Sequence, residues 1–287
     1  MRHLLVFAIL CALPSLAEQK IQGYTGLYMG HSFFRPCVEH LEKIIPATHV
    51  AGHTQCKVTA GGPNGSPGML WENKKKRAEG LQILDTQKID LLVMTYFSPE
   101  NSSLEHYSRW IDYAIDRNPD TTFMLALPWG RHLFKATEKQ IEAGKKKSLD
   151  LNDSLVTELR EKYPKNNILY CPYGLGTYEL VERFHEGKLP GIKTLLDPNK
   201  KTRGQTQQRK EQLFKDELGH PSELIAKTGA LLWIQTLYNI DPSTLPPQRV
   251  DGLPDINVNE IAATVGEKIK PLNATGTGKV PKRGSGK

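Results

Sequence analysis

Short apolar runs alternate along this chain with longer stretches patterned at helical spacing. The strand-like runs fall at residues 25–29, 48–53, 91–96, 122–127 and 168–171. Helical stretches lie between and after them at 36–45, 70–86, 104–117, 137–163 and 176–186. A last amphipathic helix is expected at 222–238, where Pro221 and Ser222 favour the start and Leu224, Ala226, Leu231, Leu232 and Ile234 supply the apolar positions. Strands alternating with helices predict a parallel sheet covered on both faces. Leu91-Leu92-Val93-Met94 is apolar at successive positions, as a central parallel strand buried on both faces must be. The expected fold is a three-layer α/β/α sandwich around a mostly parallel five-stranded sheet with flavodoxin-like strand order.

The two ends read differently. Arg2 and His3 precede the apolar run Leu4-Leu5-Val6-Phe7-Ala8-Ile9-Leu10, and small residues lead up to Ala17. Residues 1–17 therefore read as a secretory signal, too short to span a bilayer, and imply a secreted or periplasmic protein. Residues 18–270 are the expected single domain, and 271–287, rich in Gly, Lys, Pro and Thr, a flexible basic tail. The stretch 199–212 is polar and basic, a surface loop or exposed helix, and the Pro-rich 241–255 is expected to wrap the surface. Of the net charge of +7, four charges come from Lys279, Lys282, Arg283 and Lys287 in the tail and one from Arg2. The body is left at +2, an ordinary surface balance that gives no reason to expect nucleic acid as a partner. No other run is long and apolar enough for membrane insertion. Three cysteines remain beyond the signal, so at most one bridge forms; Cys37 and Cys56, flanking the first helix, are the expected pair.

The candidate chemistry sits at the ends of the strands. Gly30-His31-Ser32 follows the first strand, and Asp216-Glu217-Leu218-Gly219-His220-Pro221 precedes the last helix. In an open parallel sheet, ligands bind beyond the carboxyl ends of the strands, where strand order reverses. Ser32 would lie at that edge, with its N–H near a helix start where developing negative charge is favoured. A serine hydroxyl is a weak nucleophile unless a base takes its proton, and His220 is the candidate base. The competing structural role for Ser32 is to cap the helix that follows.

These blocks, with the α/β alternation, resemble the SGNH (GDSL-like) hydrolases. The first block there reads Gly-Asp-Ser or Gly-Asn-Ser, so His31 is a variant. The last block there is Asp-x-x-His; here Glu217 lies three residues and Asp216 four residues before His220. Either carboxylate is a candidate to orient the imidazole, with Asp216 favoured because aspartate is the family's residue. The resemblance implies two further oxyanion donors, a glycine after the second strand and an asparagine after the third. Gly62 is the candidate for the first. The third-block motif is missing, and Asn101 is the candidate in its place.

Around this edge, His31, Tyr96 and Trp129 are candidate substrate contacts, and Phe97, Phe33 and Phe34 could complete an aromatic wall. Tyr173 is a candidate rim residue, and Arg131 and His132 are candidates for contact with an anionic substrate. Lys145-Lys146-Lys147 reads as a solvated helix face. His49, His53 and Cys56 have a spacing that suits a metal on a helix but not on a strand, where positions four apart lie about 13 Å from each other; His53 could instead reach the pocket. The reading that follows is a serine esterase hydrolysing a carboxylic ester, such as a carbohydrate acetyl ester, through an acyl-enzyme. Ser32, His220 and Asp216 carry the reaction, Ser32, Gly62 and Asn101 bind the oxyanion, and no cofactor or metal is required. The alternatives are a non-catalytic carbohydrate-binding protein on the same fold, or sulfate-ester cleavage or elimination in the same cleft with His31 contributing.

Overall fold

The computed structural model describes residues 20–197 and 211–273. The signal reading, the tail beyond Asn273 and most of the basic stretch at 199–212 lie outside the described residues. Gln212, at the end of that stretch, is buried, and its side-chain oxygen accepts a hydrogen bond from the Asp197 N–H.

A short strand, β1 (Ile21–Gln22), precedes β2 (Thr25–Gly30), and α1 (Arg35–Ile44) follows. Next come β3 (Val50–Ala51), β4 (Thr54–Thr59), α2 (Pro67–Glu72) and α3 (Lys74–Thr86). The chain continues through β5 (Leu91–Thr95), α4 (Leu104–Arg117), β6 (Thr122–Ala126), α5 (Glu138–Leu151), α6 (Thr157–Lys162), β7 (Ile168–Cys171) and α7 (Gly174–His185). Two helices close it, α8 (Glu223–Tyr238) and α9 (Val258–Ile269). The main sheet has the order β4-β2-β5-β6-β7, parallel throughout. This is the flavodoxin-like order, and the molecule is an α/β/α sandwich.

Side chains alternate across the sheet, so each strand feeds both layers. Tyr28, Leu91, Val93, Met124, Ala126, Leu169 and Cys171 face a core built with α1, α7, α8 and α9. Leu27, Met29, Leu92, Met94, Phe123, Leu125 and Tyr170 face the other, built with α2, α3, α4 and α6. The outer edge of β7 is closed by Asn273, whose side-chain amide accepts from the Tyr170 N–H and donates to the Tyr170 carbonyl. An edge whose backbone groups are occupied cannot recruit another strand.

Several sequence expectations need correction. The second sheet strand is β4, not 48–53. The apolar Val50–Ala51 pairs only with Ile21–Gln22, and Gly52, at φ +76°, turns the chain before β4 begins. β4 is an edge strand with half-exposed, polar positions, so it lacks the apolar run that marks its central neighbours. The helical stretch at 70–86 is two helices, because the Asn73 side chain caps α3 by accepting from the Lys76 N–H. The stretch at 137–163 is α5 and α6 joined by a π-helical turn, Asn152–Val156. α8 is neither last nor amphipathic: α9 packs over it, and it is buried nearly all round.

Cys37 and Cys56 do not pair. Cys37 is buried in the layer containing α1, whereas Cys56 packs against the opposite layer, so the sheet separates them. Cys171 is also free and buried.

Candidate functional site

The chain leaves β2 through Gly30 and turns at once. The His31 carbonyl accepts from the Phe34 and Arg35 amides, and the His31 ring Nδ1 accepts from the Phe33 N–H at 3.3 Å. The ring thus braces the corner that the serine occupies. Ser32 is not the helix cap: the residue before α1 is Phe34, which provides no side-chain cap, and Pro36 sits in the first turn. Instead the Ser32 Oγ lies 2.7 Å from His220 Nε2.

His220 is held from behind. Its Nδ1–H donates to Asp216 Oδ2 at 2.6 Å, and Asp216 Oδ1 accepts from the Leu218 and His220 backbone amides. The four-residue spacing works because Asp216 folds its own loop into a turn and Gly219, at φ +85°, reverses the chain to bring the ring back over the carboxylate. An L side chain rarely adopts that conformation. Glu217 is exposed, and it is its backbone carbonyl that is engaged, accepting from His132 Nδ1–H at 2.8 Å. With Nδ1 committed as a donor to Asp216, Nε2 is left as the acceptor for the serine proton.

These groups open into a cleft of about 650 Å³ at the carboxyl ends of β2, β4, β5 and β6. Its lining includes His31, Ser32, Gly62, Tyr96, Trp129 and His220. Phe33 stacks on Trp129 with ring centroids 4.9 Å apart and meets the His220 ring edge-on at 5.3 Å. Phe97 lines the cleft as well. Phe34 and Tyr173 do not: both are buried against Trp233 in the core.

The loop after β4 approaches the serine closely because Gly65 lacks a side chain. A Cβ there would stand 2.4 Å from the Gly30 carbonyl oxygen and 2.7 Å from His31 Cβ. Gly62, earlier in the loop, has φ +53° and lines the cleft. Among the described residues, neither the Ser32 nor the Gly62 N–H is engaged in a hydrogen bond. Gly65→Ala should push the loop off the corner. Overpacking of this kind costs roughly 1–3 kcal/mol, readable as a lowered urea midpoint.

Asn101 is not in the cleft; its N–H donates to the Ser98 carbonyl and its own carbonyl accepts from Gly68. Asn64, not among the residues expected there, does line it, as do Tyr178, Ser148 and Lys147. Lys147 is solvated, as expected of that helix face, but it also borders the cleft, while Lys145 and Lys146 are ion-paired. A signal for Asn64 existed: it follows the glycine pair at a strand's carboxyl end, within Gly61-Gly62-Pro63-Asn64. His53 lies before β4, at the opposite edge, with its Nδ1 2.6 Å from the Tyr238 hydroxyl.

His31 is 3% exposed, and burial lowers its pKa to about 4, with the charge of Arg131 acting in the same direction. It is neutral at pH 7. As pH falls from about 6.5 towards 4, the unfolded chain binds a proton at this position that the folded chain refuses. Stability should therefore drop with falling pH, by up to roughly 3 kcal/mol for this group. His40 and His53, also lowered to about 4 chiefly by burial, act in the same sense. Urea unfolding at pH 7 and 4.5 checks this. His31→Asn, which keeps an acceptor for the Phe33 amide, should flatten part of the acid limb.

No family model matches the chain, and no curated protein matches it. Among solved structures, it is similar to a DUF4886 family protein from Bacteroides uniformis ATCC 8492, with a TM-score of 0.58 at 14% identity, covering 90% of this chain and 98% of that one. The periplasmic domain of a lipopolysaccharide acetyltransferase from Salmonella ser. Paratyphi A matches with a TM-score of 0.36 at 14% identity, over 53% of this chain and 68% of that one. The first likeness spans nearly the whole chain and shows a shared α/β sandwich fold.

Proposed function

We propose that this chain is an exported SGNH-like serine esterase that hydrolyses a carboxylic ester, an O-acetylated carbohydrate among the candidates, through an acyl-enzyme. The observation that carries this reading is the continuous hydrogen-bonded line from Asp216 through His220 to Ser32, with distances of 2.6 and 2.7 Å, ending in an aromatic-walled cleft. Ser32 Oγ attacks the ester carbonyl while His220 Nε2 takes its proton. Asp216 holds the ring in the tautomer that can accept and stabilises the imidazolium that results. The Ser32 and Gly62 amides, with the Asn64 side chain in place of Asn101, are the proposed donors to the oxyanion. Collapse of the tetrahedral intermediate breaks the bond to the leaving alkoxide, which takes the proton from His220. Water, activated by the same ring, then attacks the acyl-enzyme and releases the acid. Ser32, His220, substrate and water account for every proton and electron pair.

Export rests on the sequence of residues 1–17. Among the described residues no helix is long and apolar enough to cross a membrane. The test is hydrolysis of 4-nitrophenyl acetate and butyrate by the purified protein at pH 7.5. Turnover far above the rate with heat-inactivated protein is expected, and a rate equal to that background contradicts the assignment.

A further inference from the structure

The cleft has a charge asymmetry that ester hydrolysis alone does not require. Its lining contains two cations, Arg131 and Lys147, and no carboxylate. Of the seven other described arginines, four are ion-paired, Arg35 with Glu39, Arg109 with Glu72 and Glu105, Arg117 with Asp85, and Arg183 with Glu179, and Arg160 is engaged by carbonyl groups. Among the described residues Arg131 has no acidic partner. Its guanidinium lies over the Phe97 ring, 5.1 Å from the centroid. One guanidinium nitrogen comes within 3.2 Å of where a Cβ on Gly62 would stand, so the side chain reaches across the cleft toward the β4 loop. Lys147 likewise has no carboxylate within ion-pair distance among the described residues, although both lysines before it are paired. Glu100, outside the lining, feels its charge only at a distance.

The backbone that carries Arg131 is fixed on both sides. Trp129 Nε1–H donates to the Gly219 carbonyl at 3.0 Å, the Gly130 N–H donates to the Tyr178 hydroxyl at 3.2 Å, and His132 Nδ1–H donates to the Glu217 carbonyl. Two of these three bonds go to the loop that holds His220. The backbone from which the Arg131 side chain extends is therefore held at a defined place relative to the base. An unpaired guanidinium lying over an aromatic face at the cleft suits a planar anion.

We infer that the cleft takes esters bearing an anionic group, a carboxylate or similar oxyanion, held by Arg131 with Lys147 adding charge at the rim. This rests on the esterase reading and deepens it. The anion can belong to the acyl part or to the alcohol, and two probes separate these. For the acyl side, 4-nitrophenyl hemisuccinate is compared with 4-nitrophenyl butyrate. For the leaving-group side, 4-acetoxybenzoate is compared with phenyl acetate.

In one of the two pairs the anionic ester should have at least a 10-fold higher kcat/KM, mostly through KM, and added salt should shrink the ratio because these cations are exposed to solvent. Arg131→Gln should lower that ratio by about 10-fold or more, Arg131→Lys should restore part of it, and Lys146→Gln, at a paired residue outside the cleft, should leave it in place. No anionic preference in either pair, or a ratio unmoved by Arg131→Gln, overturns the inference. An unmoved ratio with both rates lowered equally would instead place Arg131 at the reacting carbonyl, and one with both rates unchanged would leave it without a role in the cleft. Calorimetric titration of the Ser32→Ala protein with the two anionic esters reads binding without turnover. Affinity that weakens about 10-fold when Arg131→Gln is added upholds the subsite even if no ester is hydrolysed, which would defeat only the esterase reading. Equal or undetectable binding overturns the subsite itself.

Discussion

Ser32→Ala will lower kcat/KM for 4-nitrophenyl esters by about 10⁵-fold while changing unfolding free energy by no more than about 0.5 kcal/mol. The two halves of this expectation have different physical origins. In the proposed mechanism the hydroxyl oxygen is the atom acylated, and among the described residues no other side-chain nucleophile is hydrogen-bonded to His220 Nε2. What remains in the variant is the oxyanion site and general-base hydrolysis by His220, which sustain only a small residual rate. The fold should not notice the loss. Ser32 is half-buried, its side chain caps no helix, and its one side-chain partner keeps access to solvent. A large fall in both activity and stability would instead mean that the hydroxyl braces the corner. Steady-state rates and urea melts on the same preparation separate the two.

Asp216→Asn is expected to cost about 10⁴-fold in kcat, whereas Glu217→Gln should stay within about threefold of wild type. The asparagine oxygen can still accept from the Leu218 and His220 amides, so the loop persists. The other side-chain atom facing His220 Nδ1 becomes an NH₂ group. That favours the ring tautomer with its proton on Nε2, which donates to Ser32 rather than accepting from it. The imidazolium formed during attack also loses its counter-charge. Glu217 contributes only a backbone carbonyl to the site, and that group is untouched by the substitution. A loss at Glu217→Gln comparable to that at Asp216→Asn would reverse the assignment of the carboxylate.

The parts of the site legible in the sequence are those fixed by where strands end. β2, β5, β6 and β7 announce themselves because strands buried on both faces must be apolar at successive positions. Ser32 directly follows one of them, and His220 directly precedes a helix marked by Pro221 and Ser222. What stayed hidden depends on side-chain reach and on backbone turns. The choice between Asp216 and Glu217 turns on the positive φ at Gly219, which residue spacing does not reveal. β4, at the sheet edge, carries Thr, Gln and Lys and reads as polar. Because β4 starts at Thr54, His53 lies at the amino end of that strand and Asn64 at the cleft end. α8 is buried on nearly every face because α9 covers the side that would otherwise meet solvent. Yet α9 had a legible pattern: Asn257 as cap and apolar Val258, Ile261, Ala262, Val265 and Ile269 at helical spacing. Lys147 reaches the cleft from a helix whose other lysines are ordinary surface residues, a distinction that only the packing of α5 beside the cleft provides.

If His220 makes Ser32 a reactive nucleophile, a fluorophosphonate will label that serine, and intact and peptide mass spectrometry will read the adduct. A single adduct mapped to Ser32, formed rapidly in the wild type and lost in His220→Ala protein that still folds, is the predicted result. A protein that stays unlabelled, or is labelled at another residue, or at Ser32 equally fast without the imidazole, would contradict the account.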